Sequence, residues 1–116
     1  MRRIRHDEAD ATGGGFALYR GEPYTGEIAE VLDSGEMVAL STYAQGVEDG
    51  PWQRWYPDGT KRVEGRYRDG AAVGVWREWH PSGVLAGETF YSPEGRKLTT
   101  RRWDESGALV EAVFGG

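Results

Sequence analysis

The chain has 116 residues, of which 38% are hydrophobic, and this length suits one domain. Its 18 glycines exclude a mainly helical fold, because glycine destabilises helix interiors, and the absence of cysteine excludes disulfides and thiolate metal sites. The net charge of −5 is uneven, since residues 1–50 carry −6 and residues 51–116 carry +1. This distribution argues against nucleic acid as the main partner and would suit a basic protein surface, although solubility is the favoured explanation.

Residues 1–15 precede the repeated part of the chain. Their basic residues are not followed by an apolar stretch, so they do not resemble a signal peptide. The run Gly13-Gly14-Gly15 predicts a flexible tether, and we expect residues 1–15 to form a loose N-terminal tail. Residues 16–116 are expected to fold as a single domain. Without cysteine, the reducing cytoplasm is the compartment that we expect.

From residue 16 onward, aromatic residues and glycines recur at a constant interval, the one that separates Trp52 from Trp76 and Trp79 from Trp103. A period of about 24 residues indicates stacked supersecondary units rather than an isolated aromatic site. The positions that share one register, and that we assign to the scaffold, include Trp52, Trp55, Gly59, Tyr67, Trp76, Trp79, Gly83, Tyr91, Trp103 and Gly107.

Each repeated unit is predicted to be a β-hairpin. Residues 52–56 are rich in aromatics and predict a first strand, Pro57-Asp58-Gly59 predicts a turn, and residues 61–67 predict a second strand. Short turns join antiparallel strands. The predicted fold is therefore all-β, an elongated single-layer antiparallel meander of eight or nine strands. Strict alternation places Lys61 on the same face as Tyr67.

The tryptophans of these units are expected to pack along the sheet. Trp55, Trp79 and Trp103 would form a comb of rings, and a small residue such as Gly65 would leave room for a ring nearby. One connection departs from the register, because Tyr91 is separated from the next glycine by one residue more than Tyr67 is. Terminal units of stacked repeats are often atypical in this way.

The repeated phrases resemble a known family. GPWQRWYPDGTKRVEGRYRDG at 50–70 and GVWREWHPSGVLAGETFY at 74–91 are similar to the variant MORN repeat and, more narrowly, to bacterial YwqK-type antitoxin proteins. The resemblance covers residues 16–114. It implies an elongated sheet of hairpins without catalysis or cofactor. It also implies a protein partner, a cognate toxin that the chain neutralises by direct binding.

His80 is the candidate for chemistry within the repeats, as a general base beside Glu78. Tyr56 occupies the equivalent position one unit earlier, so we interpret His80 as a replacement for an aromatic residue. We therefore expect no enzyme activity. Two histidines and no cysteine argue against a metal site. A small β-sheet enzyme or ligand binder that uses the tryptophan and His80 face is the second alternative.

Partner-binding residues are sought where the copies of the unit differ. The first repeat and its exit loop are acidic, and such a surface would steer a basic toxin towards it. Aromatic residues at positions that differ between the repeated units would add anchor contacts to the partner. The partner-binding candidates are Glu27, Glu30, Asp33, Glu36, Glu48, Asp49, Tyr56, His80 and Phe90.

Two further features leave alternatives open. The arginine stripe of Arg62, Arg66 and Arg68 would suit a MORN-type scaffold that binds acidic lipids, yet the negative net charge argues against a membrane and cross-strand pairing with glutamates is favoured. The edge strands near 16–19 and 109–114 leave unpaired backbone groups. Edge pairing would give a homodimer or dock a partner strand.

Overall fold

The computed structural model describes residues 1–13 and 16–114 of the chain. Within these ranges thirteen strands form one sheet, accompanied by one short 3-10 helix, His6–Glu8. The predicted class, an all-β antiparallel meander of hairpins in a single layer, is confirmed. No helix in the described part of the chain is long and apolar enough to cross a membrane.

The strands from residue 50 onward follow one another across the sheet in chain order, which is the arrangement of a meander. The strands are β1 Arg3–Arg5, β2 Ala11–Gly13, β3 Phe16–Tyr19, β4 Glu22–Pro23, β5 Gly26–Val31, β6 Met37–Ala44, β7 Val47–Glu48, β8 Gly50–Trp55, β9 Lys61–Arg68, β10 Ala71–Trp79, β11 Leu85–Tyr91, β12 Lys97–Trp103 and β13 Leu109–Phe114. In the first half, β5 and β7 both lie beside β6, β1 lies beside β5, and β3 joins β7 to β2 and β4.

The hairpin turns repeat the same backbone hydrogen bonds once in each unit. The Tyr56 N–H donates to the Thr60 carbonyl at 2.8 Å, and the Gly59 N–H donates to the Tyr56 carbonyl at 2.9 Å. The equivalent turn at His80 is closed in the same way, and its Gly83 N–H donates to the His80 carbonyl at 2.8 Å. Gly59 has a φ of 94°, a conformation that glycine adopts without strain, which explains the recurring turn glycine.

A β-bulge beside each turn changes which face the adjoining residue occupies. The register shifts between Arg54 and Trp55, so that Trp55 pairs with Lys61. The placement of Lys61 on the face of Tyr67 is therefore wrong, because a bulge adds one residue and reverses the alternation beyond it. The Lys61 Nζ atom lies 5.3 Å from the Trp55 ring centroid and 3.4 Å from Glu64 Oε1. The same shift recurs at Glu30/Val31, Glu78/Trp79 and Arg102/Trp103.

The hydrophobic core lies in the N-terminal half of the sheet. Tyr24 is only 2% exposed, and its hydroxyl donates to the Glu27 carbonyl at 2.9 Å, so its one polar atom is satisfied. The side chains of β8 to β12 are mostly half-buried, and β13 is exposed along its whole length. The buried residues that form the core cluster are Ile4, Ala17, Tyr24, Ile28 and Tyr43.

The N-terminal strand contributes to this core instead of forming the loose tail that we expected. Strand β1 runs parallel to β5, where Ile4 pairs with Ile28 and is 6% exposed. Arg3 Nε lies 3.0 Å from Glu27 Oε1 beside this pair. One isoleucine between arginines gives no periodicity from which a strand could be predicted, so the sequence did not reveal β1. Gly14 and Gly15 of the predicted tether lie outside the described residues.

Candidate functional site

One face of the sheet carries a row of aromatic rings. The Trp52 and Trp76 ring centroids are 5.5 Å apart, and Tyr67 meets Trp76 edge-on at 5.0 Å. Tyr91 extends the row with an edge contact to Trp76 at 6.4 Å. Each such ring contact stabilises the fold by about 0.5–1.5 kcal/mol in addition to the effect of burying apolar surface. The row spans strands β8 to β11 and stiffens this part of the sheet.

The close approach of Trp52 and Trp76 depends on Gly65. Gly65 pairs with Trp52 on the intervening strand, and a Cβ atom added to it would lie 2.0 Å from Trp76 Cδ2. The expectation that Gly65 leaves room for a ring is confirmed. Because strands two apart in a sheet are separated by about 10 Å, only a glycine between them lets the two indoles touch. Within the described residues, no ring contact joins members of the Trp55, Trp79 and Trp103 column.

Tyr56 and His80 both bind the backbone of the next repeat. The Tyr56 hydroxyl donates to the Trp79 carbonyl oxygen at 2.7 Å. In the following unit His80 Nε2 lies 2.8 Å from the Trp103 carbonyl oxygen. A carbonyl oxygen only accepts, so His80 Nε2 carries the proton and this nitrogen cannot act as a base. The histidine thus makes the contact that the tyrosine makes one repeat earlier.

A groove of about 520 Å³ follows this column along the turn end of the hairpins. Its lining includes Glu78, whose carboxylate lies 3.9 Å from Arg102 Nη1, so the acid next to His80 is paired with a cation. Asp104 also lines the groove. The Ser106 hydroxyl that donates to Asp104, together with backbone N–H groups of its own turn, lowers the Asp104 pKa. Both carboxylates are therefore occupied by structural contacts.

Three of the acidic candidates lie at the turn end of the β5–β6 hairpin, Glu30 near the end of β5 and Asp33 and Glu36 in the connection that follows it. Glu30, Asp33 and Glu36 are exposed, and none forms an ion pair with another described residue. The Ser34 hydroxyl donates to the Glu36 carboxylate, which lowers the Glu36 pKa and keeps it ionised. Glu27 differs from these three residues, because its carboxylate forms an ion pair with Arg3. We call Glu30, Asp33 and Glu36 the acidic patch.

Glu48 and Asp49 lie at the opposite end of the hairpins from the acidic patch. The Tyr43 hydroxyl is 3.4 Å from the Glu48 carboxylate, and burial raises the pKa of Glu48. Burial also raises the Tyr43 pKa to about 12. The Asp49 carboxylate accepts a hydrogen bond from the Asp69 N–H at 3.1 Å and so stabilises the turn between β9 and β10. Phe90, the remaining candidate, is half-buried in β11.

The face opposite the aromatic row carries charges that pair across strands. Arg77 Nε lies 3.0 Å from Glu88 Oε2, and Arg77 Nη1 lies 3.9 Å from Glu64 Oε2. Arg77 thus pairs with glutamates across the strands, whereas the stripe residues Arg62, Arg66 and Arg68 form no ion pair with another described residue. Arg62 instead lies 5.7 Å from the centroid of the Tyr56 ring. A partly exposed ion pair contributes at most about 1 kcal/mol to the free energy of unfolding, so the pairs on this face stabilise the sheet only weakly.

The described residues contain no group of three or more histidine, aspartate or glutamate side chains that could bind a metal ion. Comparison with solved structures finds distant likenesses. They include a TarM mutant from S. aureus in complex with Fondaparinux, alpha-GlcNAc-glycerol and UDP, with 9% identity, a TM-score of 0.46, and coverage of 91% of this chain and 19% of that chain. A second TarM crystal structure gives 10% identity, the same TM-score of 0.46 and coverage of 91% and 19%.

A GtfA/B complex bound to UDP and GlcNAc is similar at 14% identity, with a TM-score of 0.36 and coverage of 90% of this chain and 23% of that one. The chain therefore spans about a fifth of the length of these proteins. Likenesses this distant do not bear on function. Comparison with curated proteins gives no match.

Comparison with protein families gives a match that coincides with two hairpins of the sheet. The family described as the MORN repeat variant matches residues 48–69, which contain β8 and β9. It matches again at residues 72–92, which cover most of β10 and all of β11. Two consecutive hairpins of this chain are thus similar to the MORN repeat variant, in agreement with a sheet built from repeated hairpins.

Proposed function

We propose that this chain is a non-catalytic binding protein that neutralises a bacterial toxin by direct contact. The observation that carries the proposal is the acidic patch, in which Glu30, Asp33 and Glu36 are exposed and form no ion pair with another described residue. Exposed carboxylates without an ion-pair partner are available to a cationic surface. The toxin as the partner rests on the resemblance of the repeats to antitoxin proteins.

The charge of the chain supports a basic partner. Residues 1–50 carry a net charge of −6, and this half includes the acidic patch. Opposite charge accelerates the encounter of two proteins over distances of about 8–10 Å at physiological salt. A toxin that acts on nucleic acid has the basic surface that this patch would attract.

The dimensions of the sheet support a protein rather than a small molecule as the main partner. The chain extends over 47 × 37 × 20 Å, so each broad face offers more than the roughly 800 Å² that one partner of a standard interface buries. Half-buried rings such as Trp52 and Tyr91 provide rigid apolar area on one face. Aromatic side chains of this kind are frequent anchors at interfaces.

The contacts of Tyr56 and His80 support action without catalysis. Both side chains are engaged with backbone carbonyl oxygens, so the residue that the sequence singled out for chemistry and its counterpart one repeat earlier have structural partners. The protein would then act by occluding a surface of the toxin. Blocking by occlusion requires a stable complex and no turnover.

Charge reversal at the acidic patch tests the proposal. The purified chain is mixed with the candidate toxin, taken as the product of the neighbouring gene because antitoxins of the kind that the repeats resemble are often encoded beside their toxins. Complex formation is followed by calorimetry and by the association rate. We expect a stable complex whose association slows at least about tenfold in the Glu30→Lys/Asp33→Lys/Glu36→Lys variant. The matched control is Glu94→Lys/Glu105→Lys/Glu111→Lys, three exposed carboxylates that also form no ion pair with a described residue.

The two variants separate the possible failures. If both slow association equally, the partner senses the net charge and the patch is not the contact surface. If the unmodified chain forms no complex with the toxin, the proposed function itself is wrong. Circular dichroism of both variants confirms beforehand that the sheet is retained.

A further inference from the structure

Strand β1 joins the sheet from outside the repeats. It lies beside β5 in the one parallel pairing among the described strands, whereas the hairpins of the repeats are antiparallel. β5 begins the first hairpin of the repeats, and β6 pairs with its other side. β1 therefore occupies a sheet edge in the same way as a peptide strand that is added to a sheet by β-augmentation.

The edge of β5 is shaped to accept an extended strand. The Glu27 N–H donates to the Arg2 carbonyl oxygen at 2.8 Å, so a main-chain hydrogen bond holds the added strand. Gly26 gives the strand room, because a Cβ atom at this glycine would lie 2.6 Å from the same carbonyl oxygen. Ile4 pairs with Ile28, and both side chains are nearly fully buried, at 6% and 4% exposure. An aliphatic side chain at this position is thus the apolar anchor of the strand.

The charges of the two strands are complementary. β5 contains two carboxylates, those of Glu27 and Glu30, and no cation, while β1 has an arginine on each side of Ile4. Arg3 Nε lies 3.0 Å from Glu27 Oε1, so one of these arginines forms an ion pair with the edge. An anionic edge that holds a cationic strand indicates the class of segment that this edge accepts.

Strand β1 pairs with only the first part of this edge. The pairing ends where Arg5 meets Ala29, after which the chain turns into the 3-10 helix His6–Glu8. A gap of about 100 Å³ lies between this turn and the end of β5, and Glu30 lines it. Asp7 lines the same gap, so the turn brings a carboxylate to a place where Glu30 would favour a cation. β1 is therefore an incomplete match to the edge.

A longer strand would match the whole edge. Residues that lie opposite each other in paired strands share a face, and successive residues of one strand point to opposite faces. A strand that continued past Arg5 would therefore place its next residue beside Glu30, on the face of Ile28. The fitting pattern is a cation opposite Glu27 and an aliphatic residue opposite Ile28, with a second cation two positions further on, opposite Glu30.

We propose that the edge of β5 is a docking site for a basic extended segment of a partner protein, which enters parallel to β5 in place of β1. β1 is the internal occupant of the site and leaves before the partner segment binds. The second cation against Glu30 and the additional main-chain hydrogen bonds favour the exchange. The site does not require the partner to be a toxin, so this proposal and the proposed neutralisation can fail separately.

A disulfide that locks β1 in place tests the exchange in the full chain. The chain contains no cysteine, so Arg5→Cys/Ala29→Cys introduces a single disulfide between two paired residues. The probe is a fluorescent peptide of sequence RRIRRV, which has the fitting pattern, and its binding is followed by anisotropy. The reduced form of the same variant is the matched control, because it differs in the lock alone.

The locked and reduced forms give opposite expectations. We expect the oxidised form to bind the peptide at least about tenfold more weakly than the reduced form, since β1 cannot leave the site. Equal affinity of the two forms would show that the peptide binds without displacing β1 and would overturn the proposal. Absence of binding by the reduced form would overturn it as well.

Two altered peptides test the recognition pattern on the unmodified chain. RRNRRV keeps the cations and lacks the aliphatic anchor, whereas RRIRSV keeps the anchor and lacks the cation for Glu30. We expect each to bind at least about fivefold more weakly than RRIRRV. Equal binding of RRNRRV and RRIRRV would show a non-specific attraction between charges and contradict strand docking.

A pair of variants tests the position of the second cation. Glu30→Gln should remove the difference in affinity between RRIRRV and RRIRSV, because the two peptides differ in the residue that lies opposite Glu30. The control, Glu36→Gln, changes another carboxylate of the acidic patch that lies beyond the end of β5 and should keep the difference. A difference that survives in Glu30→Gln, or is lost in both variants, would show that the segment does not lie along β5 in this register.

Discussion

The hydroxyl of Tyr56 donates a hydrogen bond to the carbonyl oxygen of Trp79, at 2.7 Å. The two residues belong to successive repeats, so this bond adds to the ladder hydrogen bonds that join neighbouring strands. His80 makes the same connection to Trp103 one repeat later, at 2.8 Å. A single column of side chains thereby ties three repeats together at their turn ends.

The first prediction concerns this tie. Tyr56→Phe removes the hydroxyl and keeps the ring, so it should lower the free energy of unfolding by about 1 kcal/mol, the usual net value of one such bond. Tyr67→Phe is the matched control, because the Tyr67 hydroxyl has no hydrogen-bond partner among the described residues and its removal should change stability by less than about 0.5 kcal/mol. Urea unfolding followed by circular dichroism measures both. Equal effects would mean that the Tyr56 bond contributes nothing specific.

The second prediction is that tyrosine can replace the histidine of the same column. His80→Tyr should keep the free energy of unfolding within about 0.5 kcal/mol of the original chain, because a tyrosine hydroxyl makes this contact one repeat earlier. His80→Phe should lower it by about 1 kcal/mol, since the Trp103 carbonyl loses its partner. Thermal and urea unfolding of the two variants should separate them. A tyrosine variant as unstable as the phenylalanine variant contradicts the shared role.

The third prediction concerns the glycine between the two indoles. Gly65→Ala should destabilise the sheet by about 1–3 kcal/mol, because the added methyl group would lie 2.0 Å from Trp76 Cδ2 and must displace the indole. Gly87→Ala is the control, since its nearest neighbour would be an ordinary 3.7 Å away and alanine restricts the unfolded chain. Loss of stability in the control alone would refute the packing role of Gly65. Tryptophan emission reports whether the indole moves.

The fourth prediction is a loss of stability in alkali that depends on Tyr43. Burial raises its pKa to about 12 in the folded chain from 10.0, so the unfolded state releases the proton first and stability falls as the pH rises above 10. The contribution of Tyr43 by pH 12 is about 2 kcal/mol. Tyr43→Phe should flatten the decline of unfolding free energy between pH 10 and 12. An unchanged slope in this variant would show that Tyr43 titrates normally.

The sequence predicted the hairpin sheet because glycine and tryptophan positions repeat for a physical reason. Gly59 must adopt positive φ in its turn, and Gly65 must leave space for Trp76, so both leave a mark in the sequence. Strand β1 left no such mark, since Ile4 reaches the core through a long-range parallel pairing that local patterns do not encode. The bulge that moves Lys61 to the other face was missed for a related reason, because strict alternation assumes an unbroken register.

The acidic residues of the candidate site were named from the sequence, and their binding of a partner stays a prediction. Glu30, Asp33 and Glu36 stand out in the composition of the first repeat, where Glu30 lies near the end of β5 and the other two lie in the connection to β6. The sequence could not show that Arg3 neutralises Glu27, because their pairing depends on β1.

Titration of toxin activity with the purified chain tests the proposed neutralisation most directly. The product of the neighbouring gene is assayed while the chain is added in rising molar ratio. We predict that activity falls to zero near equimolar addition, and that charge reversal at the acidic patch shifts the curve to higher ratios. Full toxin activity in the presence of a large molar excess of the chain would contradict direct neutralisation.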